Sequence, residues 1–233
     1  MNSTLFRLFR FTLLPYAASL FLISAAAAGP PLICHPFDIG NAKSLPWMSH
    51  DWNLDGGENY DTRNLAGDTL AILEGSQIPL VHMETLRRAT LYARSDRVAA
   101  KQLLLKLVVR AQSSESSSRP DAFALFDAAY LTEAYKQWLG DKGDNPAHGL
   151  DGLAAIKKSL QLLPNNSQIA FAASLITLRG PEAEQQEYAQ KAIAGAKSDE
   201  LLARNLATHF RGAQSETMAE MILRNNSTKV ASQ

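Results

Sequence analysis

A helical pattern recurs in the C-terminal half of this chain. In residues 149–166, GLDGLAAIKKSLQLLPNN, Leu-Leu-Pro-Asn-Asn closes an amphipathic helix, and an alanine-rich helix, SQIAFAASLITLRG, follows at once. The shift that aligns Ile156–Leu160 with Ala189–Ile193 also aligns Ala173-Ser174 with Leu206-Ala207, and we call it the repeat shift. Small residues allow neighbouring helices to approach closely. The recurrence therefore predicts stacked helix hairpins.

The chain after residue 60 has helical patterns almost throughout, and no segment alternates in the way that is typical of a strand. Pro79 suits a first helical turn, where its missing N–H removes no hydrogen bond. We predict an all-α fold of stacked antiparallel helix hairpins, an α-solenoid or superhelix, with an irregular arm before it. The predicted segments are the arm (29–60), a first helical group (61–112), a serine-rich linker (113–119), repeat-like helices (120–224) and a polar tail (225–233).

The sequence also predicts which apolar residues and which carboxylates are buried or exposed. Apolar residues cover most of the circumference of segment 96–112, so we expect this helix to be buried on several sides. The carboxylates of Glu74, Glu84, Asp127 and Glu133 are interpreted as solvated positions on helix faces.

Residues 149–196 resemble the tetratricopeptide repeat, whose period of about 34 residues is close to the repeat shift. GLAAIKKSLQLLPNN and EYAQKAI look like second helices of that repeat, and Pro164 stands at its closing proline. The resemblance implies a superhelix whose first helices line a concave groove for a protein or peptide partner. The groove positions that it implies are Gln168, Phe171, Leu175 and Arg179. An ordinary helical bundle, in which Phe171 and Leu175 are core residues, is the alternative.

Residues 1–28 have the pattern of a secretory signal. Arg7 and Arg10 precede the apolar run Phe11–Ile23, and Ala26-Ala27-Ala28 supplies the small residues of a cleavage site. We therefore predict export to the periplasm or the exterior, with membrane attachment only if the signal stays uncut. The chain has 23 basic and 23 acidic residues, and cleavage would remove two of the basic ones, Arg7 and Arg10. This balance gives no support for binding to nucleic acid.

The arm carries the motifs that suggest chemistry. Asp51, Asn53 and Asp55 begin like a calcium-binding loop, D-x-N-x-D-G, but the twelfth position is Thr62 where a carboxylate is needed. The other interpretation of this segment is a plain turn. Cys34 is the one cysteine, so it is a buried thiol, an attachment point or a reactive thiol.

Two functional hypotheses follow. The first is an exported helical-repeat scaffold that binds a protein or peptide and needs no cofactor. The second is a small metal-dependent or thiol-dependent envelope enzyme whose site lies in residues 29–60. No nucleophile elbow, glycine-rich phosphate loop or paired-carboxylate motif occurs in the sequence. The first hypothesis is therefore the better supported.

Overall fold

The computed structural model of the protein describes residues 31–47, 59–140 and 143–209. Within these ranges the regular structure is entirely helical and contains no strand, so the predicted all-α class is confirmed. Two short 3-10 helices span Thr62–Asn64 and Thr177–Arg179. The α-helices are α1 (Leu65–Glu74), α2 (Pro79–Ala93), α3 (Arg97–Glu115), α4 (Ala122–Leu139), α5 (Gly152–Leu162), α6 (Ser167–Ile176), α7 (Glu182–Ala196) and α8 (Glu200–His209).

The helix ends follow from short polar residues and proline. Pro79 begins α2, as predicted, and Asp96 caps α3 by accepting hydrogen bonds from the N–H groups of Val98 and Ala99. Helix α3 continues to Glu115, so the first residues of the predicted serine-rich linker are helical.

The inner layer of the fold consists of α2, α4 and α6, each of which contacts the other two. The odd-numbered helices pack beside their neighbours in sequence, and α8 packs on α6 and α7. Helix α2 is the most enclosed, since Arg88 is the one residue of Pro79–Ala93 that is not buried. The largest buried aromatic side chains in the inner layer are Phe126, Tyr130, Tyr135 and Phe171.

Helices α6 and α8 are equivalent under the repeat shift. Ser167, the first residue of α6, maps onto Glu200, the first residue of α8. Asn166 caps α6 through the N–H of Ile169, and Asp199 caps α8 through the N–H of Leu202, both at 3.0 Å. The recurrence in sequence therefore corresponds to a recurrence in local structure.

Helix α3 differs from its predicted environment. Leu103, Leu104 and Leu107 are buried, but Leu105 and Val109 are exposed, and so is Val98. The prediction of burial on several sides was wrong, because only one side of α3 is covered by α1, α2 and α4. An apolar circumference does not reveal which side of a helix has a neighbour.

Helices α4 and α5 cross at Gly152, which leaves no room for a side chain. A Cβ atom there would lie 2.8 Å from the carbonyl oxygen of Ala129 and 2.6 Å from Oε1 of Glu133. We expect Gly152→Ala to lower the free energy of unfolding by about 1–3 kcal/mol, because backbone atoms cannot give way as a flexible side chain does. Urea unfolding followed by circular dichroism measures the change.

Gly67 in α1 is the matched control, since nothing lies within 4 Å of a Cβ atom built there. Gly67→Ala should leave packing unchanged and stabilise the helix by about 0.5–1 kcal/mol. If both variants were as stable as the parent protein or more so, the close crossing of α4 and α5 would be contradicted.

Candidate functional site

Residues 31–47, called the docked segment below, contain no helix or strand and lie across the inner helices. Phe37 packs against Tyr130 and Phe171, with ring centroids 6.4 and 6.1 Å apart. Four apolar side chains of the segment are at most 3% exposed: Leu32, Ile33, Phe37 and Leu45. We call the helix surface beneath the docked segment the trough. Its main contact residues are Glu84, Arg87, Arg88, Tyr92, Tyr130, Gln137, Phe171 and Asn205.

The main chain of the docked segment is bound by side chains of the helices. The docked segment has bends and turns and only one backbone–backbone hydrogen bond within the described ranges, from the N–H of Ala42 to the carbonyl oxygen of Ile39, so its other buried N–H and C=O groups need different partners. Eight such groups are satisfied from the trough: Leu32 N–H by Gln137, Leu32 C=O by Tyr130, Ile33 C=O by Arg87, Phe37 N–H by Glu84, both groups of Asp38 by Asn205, Leu45 C=O by Arg88 and Pro46 C=O by Tyr92.

A buried charge cluster on α2 supplies three of these partners. Glu84 accepts hydrogen bonds from Nε and Nη2 of Arg87 at 2.7 and 2.9 Å, and from Nε of Arg88 at 2.7 Å. The side chains of Glu84 and Arg87 are 0% and 1% exposed. The positions i, i+3 and i+4 place all three residues on one face of the helix. The cluster is thus held by mutual pairing and by the main chain that it binds.

The interpretation of Glu84 as a solvated residue was therefore wrong, and so was that of Asp127. Asp127 on α4 is fully buried and joins its helix to α2 and α3 by pairing with Nδ1 of His82 at 2.6 Å and with Arg110 at 3.1 Å. Burial raises the pKa of Asp127, although His82 and Arg110 lower it in part. Glu133 is partly buried and pairs with Lys136, whereas Glu74 is exposed as predicted.

The ring of His209 closes one end of the trough. It stacks on Phe37 with ring centroids 4.3 Å apart, and its Nδ1 lies 3.0 Å from the carbonyl oxygen of Asn205. That oxygen can only accept, so Nδ1 carries the proton. Burial lowers the pKa of His209 to about 4, and the ring is therefore neutral at neutral pH. Its Nε2 is buried without a hydrogen-bond partner in the described ranges.

The three predicted groove residues whose side chains are described, Gln168, Phe171 and Leu175, do not form an accessible patch. Phe171 and Leu175 are 0% and 1% exposed, so they are core residues beneath the docked segment. Gln168 connects two helix starts, since it accepts from the N–H of Leu80 and donates to Asp199. Arg179 lies in the second 3-10 helix, and its side chain is outside what the structure describes. The trough lies on α2, α4, α6 and α8, and Phe171 is the one residue of the predicted patch among its main contact residues.

Cys34, the predicted reactive thiol, is half-buried at the edge of the trough. Burial raises the pKa of its thiol, although the positive charge of Arg87 lowers it in part. The next residue, His35, is exposed, and its ring centroid lies 5.8 Å from that of His209. A raised pKa reduces the thiolate fraction at neutral pH and with it the nucleophilicity of the sulfur.

Asp51, Asn53 and Asp55, the predicted calcium ligands, lie outside the described residues. Among the residues that are described, no group of three or more His, Cys, Asp or Glu side chains is placed to hold a metal ion. The calcium site therefore stays a prediction from the sequence.

One feature of the sequence indicated the trough, but the prediction of the groove did not take it into account. Glu84, Arg87 and Arg88 form a compact set of opposite charges on a helix whose other positions are largely apolar. Such a set on a central helix indicates buried ion pairs, since isolated charges are rarely buried. The segment that covers it could not be identified in this way, because residues 31–47 have no periodic pattern.

No protein-family model, no curated protein and no solved structure matches this chain. In the ranges described here, no helix combines the length and the apolar character that crossing a bilayer requires.

Proposed function

We propose that this protein is an exported helical-repeat scaffold that binds a polypeptide segment without regular secondary structure in the trough, the surface that its own residues 31–47 cover. Export follows from the pattern of residues 1–28. The stacked hairpins, similar to the tetratricopeptide repeat, are supported by the equivalence of α6 and α8 and of their caps under the repeat shift. Determining the mass of the mature protein from culture tests export and cleavage.

One observation carries the proposal: the helices bind the docked segment through eight of its main-chain groups. Contacts to N–H and C=O groups are available from any extended chain, whatever its sequence. Selectivity then comes from the apolar anchors, which in the docked segment are Leu32 with Ile33, Phe37 and Leu45. A partner of this site is accordingly a non-helical peptide with large apolar residues at a similar spacing.

The docked segment competes with any such partner, because it is part of the same chain. An intramolecular segment acts at an effective concentration of about millimolar or more. A peptide added from outside binds only the fraction of molecules whose trough is free. Weakening the contacts of the docked segment must therefore strengthen the binding of an added peptide.

The test uses a labelled synthetic peptide of residues 31–47 with serine in place of Cys34, titrated against the full chain by fluorescence anisotropy. We expect the Phe37→Ala protein to bind it up to about a hundredfold more tightly than the parent protein does, because loss of the phenyl anchor frees the trough.

Two controls restrict the interpretation. A peptide that itself carries Phe37→Ala should bind both proteins weakly, and Ile78→Ala, which changes an exposed aliphatic residue, should behave like the parent. Circular dichroism establishes that each variant is folded. If the folded Phe37→Ala protein bound the peptide no better than the parent, the trough would be a structural core only and the proposal would fail.

A further inference from the structure

Helix α3 presents an aliphatic stripe to solvent on the side away from α1, α2 and α4. Val98 is 67% exposed, Leu105 59% and Val109 49%. These are the three most exposed of the large hydrophobic residues in the described part of the chain. Leu105 and Val109 are one turn apart, and Val98 lies two turns before Leu105 on the same side of the helix, an arrangement more typical of an interaction surface than of scattered surface residues.

The spacing along the stripe is that of a coiled-coil seam. Positions 98, 102, 105, 109 and 112 are separated by four, three, four and three residues, which is the interval that keeps side chains on one side of a helix facing a partner helix. The two positions of this seam that are not aliphatic are Gln102 and Gln112, both exposed.

Lysines lie on both sides of the seam. Lys101 and Lys106 are exposed, and neither has an ion pair among the residues that the structure describes. In heptad terms they occupy the g and e positions, whose charges select the partner of a coiled coil. The only acidic residue of α3 is Glu115 at its C-terminal end, and it pairs with Lys158. The exposed face of α3 is thus apolar in the middle and positive at its edges.

We propose that this face of α3 docks an amphipathic helix of a partner protein, with aliphatic residues in its own seam and Asp or Glu on both flanks. Burial of the stripe supplies the attraction, and pairing of the partner's carboxylates with Lys101 and Lys106 supplies the selection. This surface is separate from the trough, so the proposal does not depend on the function proposed above.

Two other occupants fit less well. In a parallel pair of α3 helices, Lys101 of one copy would lie opposite Lys106 of the other, because g and e positions five residues apart meet across the seam. The like charges disfavour such a parallel pair with a second copy of this chain. An anionic membrane would have to bury Gln102 and Gln112 in hydrocarbon, where their amides lack partners.

The test uses two synthetic helical peptides of about three heptads with leucine at both seam positions, one with Glu and one with Lys on the flanks. Each is titrated against the full chain at low salt. We expect the Glu peptide to bind at least about tenfold more tightly than the Lys peptide. The double variant Lys101→Glu/Lys106→Glu should reverse the preference, while Leu105→Ser/Val109→Ser should weaken both peptides.

The matched control is Lys191→Glu/Lys197→Glu, which reverses two exposed lysines in and just after α7 and should keep the parent's preference. Equal affinity for the two peptides, or a preference unchanged by Lys101→Glu/Lys106→Glu, overturns the proposal. So does either of two other results: binding to phosphatidylglycerol vesicles without binding of the Glu peptide, or self-association in sedimentation that Leu105→Ser/Val109→Ser abolishes.

Discussion

Replacing Arg87 by methionine should lower the free energy of unfolding by about 3–5 kcal/mol, the range for breaking a buried ion pair by removing one partner. Methionine keeps the buried aliphatic volume but removes the guanidinium that binds Glu84 through two nitrogens. Glu84 then stays fully buried with Arg88 as its one remaining cation among the described residues. The carbonyl group of Ile33 also loses its donor. Urea unfolding followed by tryptophan fluorescence and circular dichroism measures the loss.

Two other arginines serve as controls for that prediction. Arg88→Met leaves the two-nitrogen pair of Glu84 and Arg87 intact and removes a side chain that is 21% exposed, so its loss should be smaller. Arg97→Met removes a solvent-exposed arginine whose contact with Asp144 is 3.9 Å long, and we expect it to stay within about 0.5 kcal/mol of the parent. An Arg87→Met protein as stable as Arg97→Met would mean that the cluster is not buried as described.

The double variant Glu84→Gln/Arg87→Met separates the cost of an unpaired charge from the loss of packing. Glutamine can still accept from the N–H of Phe37 but carries no charge that needs a guanidinium. Its loss of stability should therefore be smaller than the sum of the two single losses. If the double variant lost as much stability as the two single variants together, Glu84 and Arg87 would act independently.

The helices were predictable from the sequence because their signals are local. Pro79, the caps Asp61, Asp96 and Asp121, and the apolar spacing within each segment depend only on residues a few positions apart. The recurrence in the C-terminal half likewise predicted helix pairs whose equivalents, α6 and α8, begin at matching positions and have the same kind of N-terminal cap.

The trough was not predictable, because it depends on contacts between distant parts of the chain. Phe37 contacts Phe171 although the two lie far apart in sequence, and Asp38 pairs with Arg204 at 2.7 Å from the other end of the described chain. The aperiodic pattern of residues 31–47 carries no information about where that segment docks. Without that information the sequence could not show that Phe171 lies beneath a segment of the same chain.

Phe37→Ala should destabilise the protein by about 3–5 kcal/mol and release the docked segment. The phenyl ring is 3% exposed and contacts Tyr130, Phe171 and His209, so its removal leaves a cavity at the junction of three helices. Differential scanning fluorimetry reports the loss of stability. Limited proteolysis with N-terminal sequencing reports the release, as faster cleavage between residues 31 and 47 than inside α2.

The two readouts distinguish a docked segment from an ordinary part of the core. If residues 31–47 are a separable occupant of the trough, cleavage in this segment should accelerate by about the factor that corresponds to the lost contact, on the order of a hundredfold to a few thousandfold, while α4 and α6 stay protected. Ile39 supplies a control within the same segment, since Ile39→Ala removes a partly buried aliphatic side chain and leaves the aromatic contacts of Phe37 in place. Equal loss of protection in the segment and in α4 would mean that the two unfold as one cooperative unit, and that the trough does not exist without its occupant.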